Sequence, residues 1–239
     1  MKYIYFVLFF KSLTLFSQSN ARISYTVQPT GGSLEKNQEV VKSKVASSFV
    51  GVDEAMSRLN YILIIKDHKS HFYLESILDF NEKPARLARA FAGNAEFFKD
   101  QRKKVKIKKV DFSNEIFFVK LDSVPQWELQ NEQKIINGYT CFKASREKRL
   151  RLKLNNPTHT VVAWYCPSIP IPNGPKEFGE LPGLILELQD DKITYLASKI
   201  ELNNDLNVII KEVNSKVISE TEFYEIVNKT VKNTAAAIR

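Results

Sequence analysis

Alternating apolar and polar residues dominate the chain. Within residues 21–28, Ile23, Tyr25 and Val27 fall on one side and Ser24 and Thr26 on the other, the two-residue period of a half-buried strand. Pro29, Thr30, Gly31, Gly32 and Ser33 end it as a turn. Residues 34–50 are polar and lysine-rich, and fit a loop or a short helix. Residues 59–66 and 71–77 are apolar runs separated by Asp67, His68, Lys69 and Ser70, the pattern of a hairpin. Residues 84–92 predict a short helix with Pro84 in its first turn.

From Arg102 onward strand patterns take over. Residues 105–108 alternate, and residues 115–121 follow Ser113 and Asn114 as the next strand. Residues 127–130, 134–145, 149–154 and 160–166 continue the series, and residues 183–189 and 193–202 predict a hairpin across Asp190 and Asp191. Residues 219–237 predict a C-terminal helix, opened by Ser219 with Glu222 three positions on, a capping box. No linker or repeat divides the chain. Many short strands with few helices predict a mainly β fold: an antiparallel sheet, as a sandwich or a half-barrel, with a C-terminal helix and one short helix.

Composition adds a compartment. Lys2 precedes an apolar run from Tyr3 to Phe10, resumed from Leu13 to Phe16, and Ser17 and Ser19 are small. This is the layout of a secretory signal peptide over residues 1–17. A spanning helix needs about 20 apolar residues without a central charge, and Lys11 interrupts this one. Residues 18–239 are then one domain. The formal charge of +8 falls to +6 without Lys2 and Lys11. An exported basic protein can meet anionic lipid or acidic glycan, whereas nucleic acid is not an expected partner.

The densest punctuation lies between Cys166 and Gly183, where five of the nine prolines sit. Proline denies the backbone a donor, so this stretch cannot be a central strand and is an extended loop between strands. Leu181, Pro182, Gly183 and Leu184 predict a type II turn, with Gly183 supplying the positive φ. These residues carry a resemblance. Leu181 to Ile185, Gly174-Pro175, Phe178-Gly179, Ala163-Trp164-Tyr165, Ile169-Pro170, Gly138-Tyr139, Cys141, Lys143 and Ala144 resemble the GLPGLI family, exported proteins of Gram-negative bacteria. The resemblance is densest over residues 126–190 and implies a periplasmic or outer-membrane location, with no activity to carry over. Glu180 departs from it, standing where the family name has its first glycine.

Cys141 and Cys166 are the two cysteines. In an oxidising compartment a lone pair predicts a disulfide. If residues 139–154 and 157–166 form one hairpin, paired positions share a constant sum of 305–311, and the cysteines sum to 307. They would then face each other across two strands. Arg149, Arg151 and Lys153 share one strand face, and the lysines of residues 103–109 are placed in the same way. Both stripes fit solvent faces guarded by charge, or less commonly an anion site.

Catalytic patterns are scarce. His68 and His71 sit in the hairpin region without an evident carboxylate partner, and His159 stands alone. There is no His-Glu-x-x-His, Gly-x-Ser-x-Gly or Cys-x-x-Cys. No catalytic residue, metal ligand or cofactor is assigned. Aromatic residues framing a proline loop provide contact area at low entropy cost, which makes Trp164, Tyr165, Pro170, Pro182 and Gly183 candidate binding residues; a purely structural loop is the stronger reading. The expected function is a non-enzymatic binding or scaffold module of the envelope. Its candidate partners are a lipid or peptide held in the hollow of a half-barrel, or an outer-membrane receptor. The alternative is an envelope hydrolase acting on peptide or glycan, with a cleft that gathers histidines and carboxylates.

Overall fold

The computed structural model describes residues 20–32, 49–75, 82–122, 126–149, 158–203, 209–210 and 212–237. The segment read as a signal peptide, residues 33–48 and the basic stretch 150–157 lie outside the described residues. The elements are β1 Ala21–Pro29, α1 Val52–Ser57, β2 Asn60–Lys66, β3 Lys69–Leu74, α2 Lys83–Ala92, β4 Glu96–Asp100, β5 Val105–Phe112 and β6 Glu115–Lys120. They continue with β7 Glu128–Ile136, β8 Tyr139–Arg149, β9 Thr158–Cys166, β10 Leu184–Asp190, β11 Ile193–Leu202, β12 Val217–Ser219 and α3 Glu220–Ala237. The fold is mainly β, as the alternation predicts.

All the strands join one open sheet in the order β12-β6-β5-β4-β3-β2-β1-β11-β10-β9-β8-β7. Its pairs are antiparallel except β12 with β6, which is parallel. Two-residue turns with positive φ set several registers: Asp67-His68, Ser113-Asn114 and Asn137-Gly138. The first shortens the expected four-residue loop. The third splits the single strand expected over residues 134–145 into β7 and β8.

The sheet curls. Laid flat, β4 and β8 are seven steps apart, roughly 34 Å at the usual strand spacing. Yet both touch Phe178: Lys99 of β4 donates to its carbonyl at 2.6 Å, and the Arg146 guanidinium of β8 lies 4.5 Å from its ring. The proline-rich loop between β9 and β10 therefore fills the hollow, with Ile169, Phe178 and Leu181 buried. The hollow expected to hold a lipid or peptide is occupied by the chain itself.

Tyrosines make the core beneath this loop. Tyr61 stacks on Phe72 at 5.3 Å and meets Tyr195 edge-on at 5.3 Å. Their hydroxyls reach backbone carbonyls: Tyr25 to Ile185 at 2.7 Å, Tyr61 to Gly93 at 2.5 Å, and Tyr195 to Ala92. Buried phenols need such partners. At the other end α3 packs Phe223 and Val227 on Val119, and Ser219 Oγ accepts from Glu222 N at 3.1 Å, the expected cap.

Two local expectations are corrected. The turn at Pro182 is not type II: Gly183 N donates to Leu181 O at 2.7 Å, a three-residue turn, and Gly183 has φ of 156°. Pro170 and Pro172 centre the same bond, from Ile171 N to Ile169 O and from Asn173 N to Ile171 O, each 2.7 Å. Glycine is required at 183 by crowding, since a Cβ there would lie 2.1 Å from Cys166 O. The disulfide is also absent. The β8–β9 register runs from Phe142↔Tyr165 to Arg149↔Thr158, the constant sum that aligns Cys141 with Cys166, but both are free buried thiols. Each sulfur has another partner: Cys141 Sγ donates to Tyr139 O at 3.6 Å, and Cys166 Sγ lies 2.9 Å from Ser168 Oγ. Burial pushes the Cys141 thiol up to about 12.

Candidate functional site

Two histidine–carboxylate–lysine groups stand on opposite faces of the sheet. The first is on the outer face of the β3–β5 arm. Alternation sends Phe72 into the core and His71 and Tyr73 outward. His71 lies between Phe98 and Tyr73, with ring centroids 4.2 and 4.6 Å away. Its Nε2 is 2.8 Å from Glu96 Oε2, and Lys109 Nζ is 2.5 Å from Glu96 Oε1. The hydrogen bond from His71, then that from Lys109, outweigh burial and pull the Glu96 carboxyl down to about 2. Glu96 is therefore a fixed anion at neutral pH, not an acid.

This group borders a cavity of about 630 Å³, walled also by Leu74, Glu75, Arg89 and Glu212. Its carboxylates are all engaged. Glu75 takes Arg22 at 3.1 Å and Asn60 Nδ2 at 2.7 Å, and Glu212 takes Lys69 at 2.5 Å. Arg89 differs. Its Nε is buried without a hydrogen bond, and no ion pair holds its guanidinium among the described residues.

The second group lies inside, under the loop. Asp190 ends β10 with a side chain 4% exposed. It accepts from Lys148 at 2.9 Å, from His159 Nε2 at 2.7 Å and from Lys176. Glu177 takes Lys148 at 2.9 Å. Burial alone would raise the Asp190 carboxyl, but Lys176, His159 and Lys148 hold it well below the usual carboxylate range. Beside it the Arg146 guanidinium makes no hydrogen bond among the described residues, and lies 4.7 Å from the Trp127 ring and 4.5 Å from that of Phe178. Around the loop, Trp127 Nε1 donates to Gly179 O at 2.9 Å, Gln101 Nε2 to Pro172 O at 3.2 Å, and Lys99 Nζ to Gly174 O at 2.9 Å. These contacts pin the loop from both arms. The lysines of β5 are part of this arrangement. Lys106 reaches Glu180 at 2.6 Å with its side chain 18% exposed, which corrects the solvent-face reading at that residue, whereas Lys103 and Lys104 are exposed as expected.

The candidate binding residues are not brought to one surface. Trp164 and Tyr165 are successive strand residues and take opposite faces, Trp164 under Lys134 at 4.3 Å and Tyr165 beside Phe142 at 6.1 Å. Pro170 and Pro182 are exposed and Gly183 is buried. The histidines are not gathered either: His71 and His159 belong to the two separate groups, and His68 is a turn residue. Glu96, Lys99 and Arg89 escaped sequence reading. Among the described residues no three His, Cys, Asp or Glu side chains form a metal-holding group, and no helix is long and apolar enough to cross a membrane.

A family described as protein of unknown function (Porph_ging) matches residues 145–187, covering the loop and its flanking strands. Among solved structures, that of PNGF-II in space group P21 is similar, with a TM-score of 0.52 and 14% identity over 88% of this chain and 33% of that one. The chain thus spans about a third of PNGF-II, and the likeness is one of fold alone. No curated protein matches.

Proposed function

We propose that the protein is an exported, non-enzymatic binding module of the periplasm or outer membrane, and that it seats an apolar or aromatic anion in the outer-face cavity. The observation that carries this is the charge arrangement of the wall. Every acid there is paired, while among the described residues Arg89 has no ion-pair partner, and the stacked rings of Phe98, His71 and Tyr73 supply a wall of aromatic edges. A half-buried guanidinium whose Nε has no hydrogen-bond partner favours an incoming carboxylate, sulfonate or phosphate, since its planar fork binds such groups in two-pronged fashion. The export signal and the resemblance to an exported family support the envelope location.

The test uses 8-anilinonaphthalene-1-sulfonate as anionic probe and N-phenyl-1-naphthylamine as its neutral counterpart. The anion binds at one site, and Arg89→Gln weakens it about 10-fold or more, the worth of one charge-assisted contact. The neutral probe is little affected by that change and is weakened by Tyr73→Ala. Equal loss of both probes in Arg89→Gln, or loss of neither, overturns the assignment.

The hydrolase reading retains one supporting observation, the His71–Glu96 pair facing a cavity. Among the described residues no Ser, Thr or Cys lines that cavity, so an enzyme built on them would have to activate water. Release of peptide or glycan fragments that His71→Gln abolishes would favour it over the binding module.

A further inference from the structure

We propose that Lys99 is a carbonyl-capturing amine, a modification site that takes a small aldehyde or ketone as an imine. Lys99 is 7% exposed and borders a cleft of about 860 Å³ between the loop and the β4–β6 arm. Val105, Leu121 and Pro172 give the cleft apolar walls, and its charged lining is balanced, Lys104, Lys106 and Lys120 against Asp100, Asp122 and Glu180. This cleft is separate from the cavity at Arg89.

The partners of Lys99 suit a neutral amine. Its nitrogen donates to two uncharged acceptors, Gly174 O at 2.9 Å and Phe178 O at 2.6 Å. An –NH₂ group satisfies both and keeps its lone pair free. The acids that face it are taken: Glu180 by Lys106 at 2.6 Å and Glu177 by Lys148 at 2.9 Å. Other charges also oppose an ammonium there. Lys106 is its direct partner across β4 and β5, and Arg146 approaches from β8 on the far side of the loop. From β3 the facing residue is Ser70, which is uncharged and bonded to Asn173 Oδ1 at 3.3 Å. Burial first, then Lys106, bring the amine down to about 7. Desolvation beside a second cation is a general way of activating a lysine nucleophile.

The chemistry balances without an oxidant or reductant. The Lys99 lone pair attacks the carbonyl carbon, forming a C–N bond. A proton passes from the nitrogen to the oxygen to give the carbinolamine, whose hydroxyl takes a second proton and leaves as water; the iminium that remains gives its N–H proton back to the donor, leaving the imine. Lys106, the cross-strand partner of Lys99, is the ammonium placed to lend that proton.

The test treats the unmodified full chain with pyridoxal 5′-phosphate, and separately with the smaller glyoxylate, from pH 6 to 9. Borohydride reduction converts any imine to a stable secondary amine for peptide mapping. Lys99 is expected to label at least about 10-fold faster at pH 7.5 than any other lysine, because an ordinary ammonium titrates near 10.4. Its labelling should rise through pH 7, and Lys106→Met should move that rise upward less than it slows the reaction. If glyoxylate leaves Lys99 unmodified while exposed lysines react, or if the label falls on Lys104 or Lys106 instead, the assignment is overturned. Arg89→Gln should not alter the labelling, so this result and the probe-binding result stand or fall separately.

Discussion

The two histidine–carboxylate–lysine groups have nearly the same parts and opposite surroundings. Glu96 is held by His71 and Lys109 at the rim of an open cavity, its side chain 28% exposed. Asp190 is held by His159, Lys148 and Lys176 beneath the loop, 4% exposed. Water can replace the partners of the first and not those of the second. The inner group therefore contributes mainly to stability, by fixing the loop that fills the hollow. The outer one can lose a partner cheaply, and this leaves the surface around it free for recognition.

Substitution separates them most sharply. Asp190→Asn takes the carboxylate from Lys176 and leaves Lys148 with Glu177 alone, and should lower stability by about 3 kcal/mol or more. Glu96→Gln breaks a half-exposed pair and should lower it by about 1 kcal/mol or less. Urea unfolding at pH 7 measures both. Equal losses would mean that burial does not distinguish the two groups. Acid adds a second reading. Each carboxyl is lower in the folded than in the unfolded chain, so each contributes fully above the ordinary carboxylate range and loses its contribution as pH falls. For Glu96 that loss runs from about 4.5 to about 2, and for Asp190 it continues well below the ordinary carboxylate range.

Lys99 gives the opposite slope. Its folded value of about 7 lies below the ordinary 10.5. Between these limits the unfolded chain carries a proton that the folded chain lacks, so stability should rise with pH by up to about 1.4 kcal/mol per unit. The rise should end near pH 10, where the unfolded tyrosines ionise before Tyr25, Tyr61 and Tyr195, which burial holds above their usual value. Unfolding free energy measured from pH 7 to 9 should flatten in Lys99→Met. A wild-type profile that falls over this range would contradict the uncharged-amine picture.

Much of the fold was legible because its signals are local. Ser219 and Glu222 announced the α3 cap, alternation placed Ile23, Tyr25 and Val27 inward, and a constant sum aligned the β8–β9 hairpin. Asn137-Gly138 was equally local, but the residues on both sides of it were read as one strand. β4 was missed because Glu96, Lys99 and Asp100 make it look like a loop, and α1 because Asp53 and Glu54 resemble turn residues. The sites were illegible for a related reason. Alternation assigns lysines outward, and only the curl of the sheet, a long-range property, turns Lys99, Lys106 and Lys108 onto the loop. His71 and Glu96 meet across two strands joined by 24 intervening residues, a pairing with no sequence signature.

The smallest effect concerns the edge of the sealed region. Glu180 has φ of 67°, left-handed backbone that suits glycine better than any residue with a Cβ. It occupies the position where the GLPGLI name has its first glycine, so the departure noted in the sequence falls on a residue carrying strain. Its ion pair with Lys106 offsets part of that strain, although a side chain 58% exposed gains little from it. Replacing Glu180 by alanine and by glycine removes the pair in both cases and isolates the backbone. Glu180→Gly should be the more stable of the two by about 0.5–1 kcal/mol, seen as a higher urea midpoint at unchanged slope. Equal midpoints would show that the loop, pinned by Lys99, Gln101 and Trp127, relaxes its backbone at this point, and that the sealed side of the molecule is less rigid than its buried charges require.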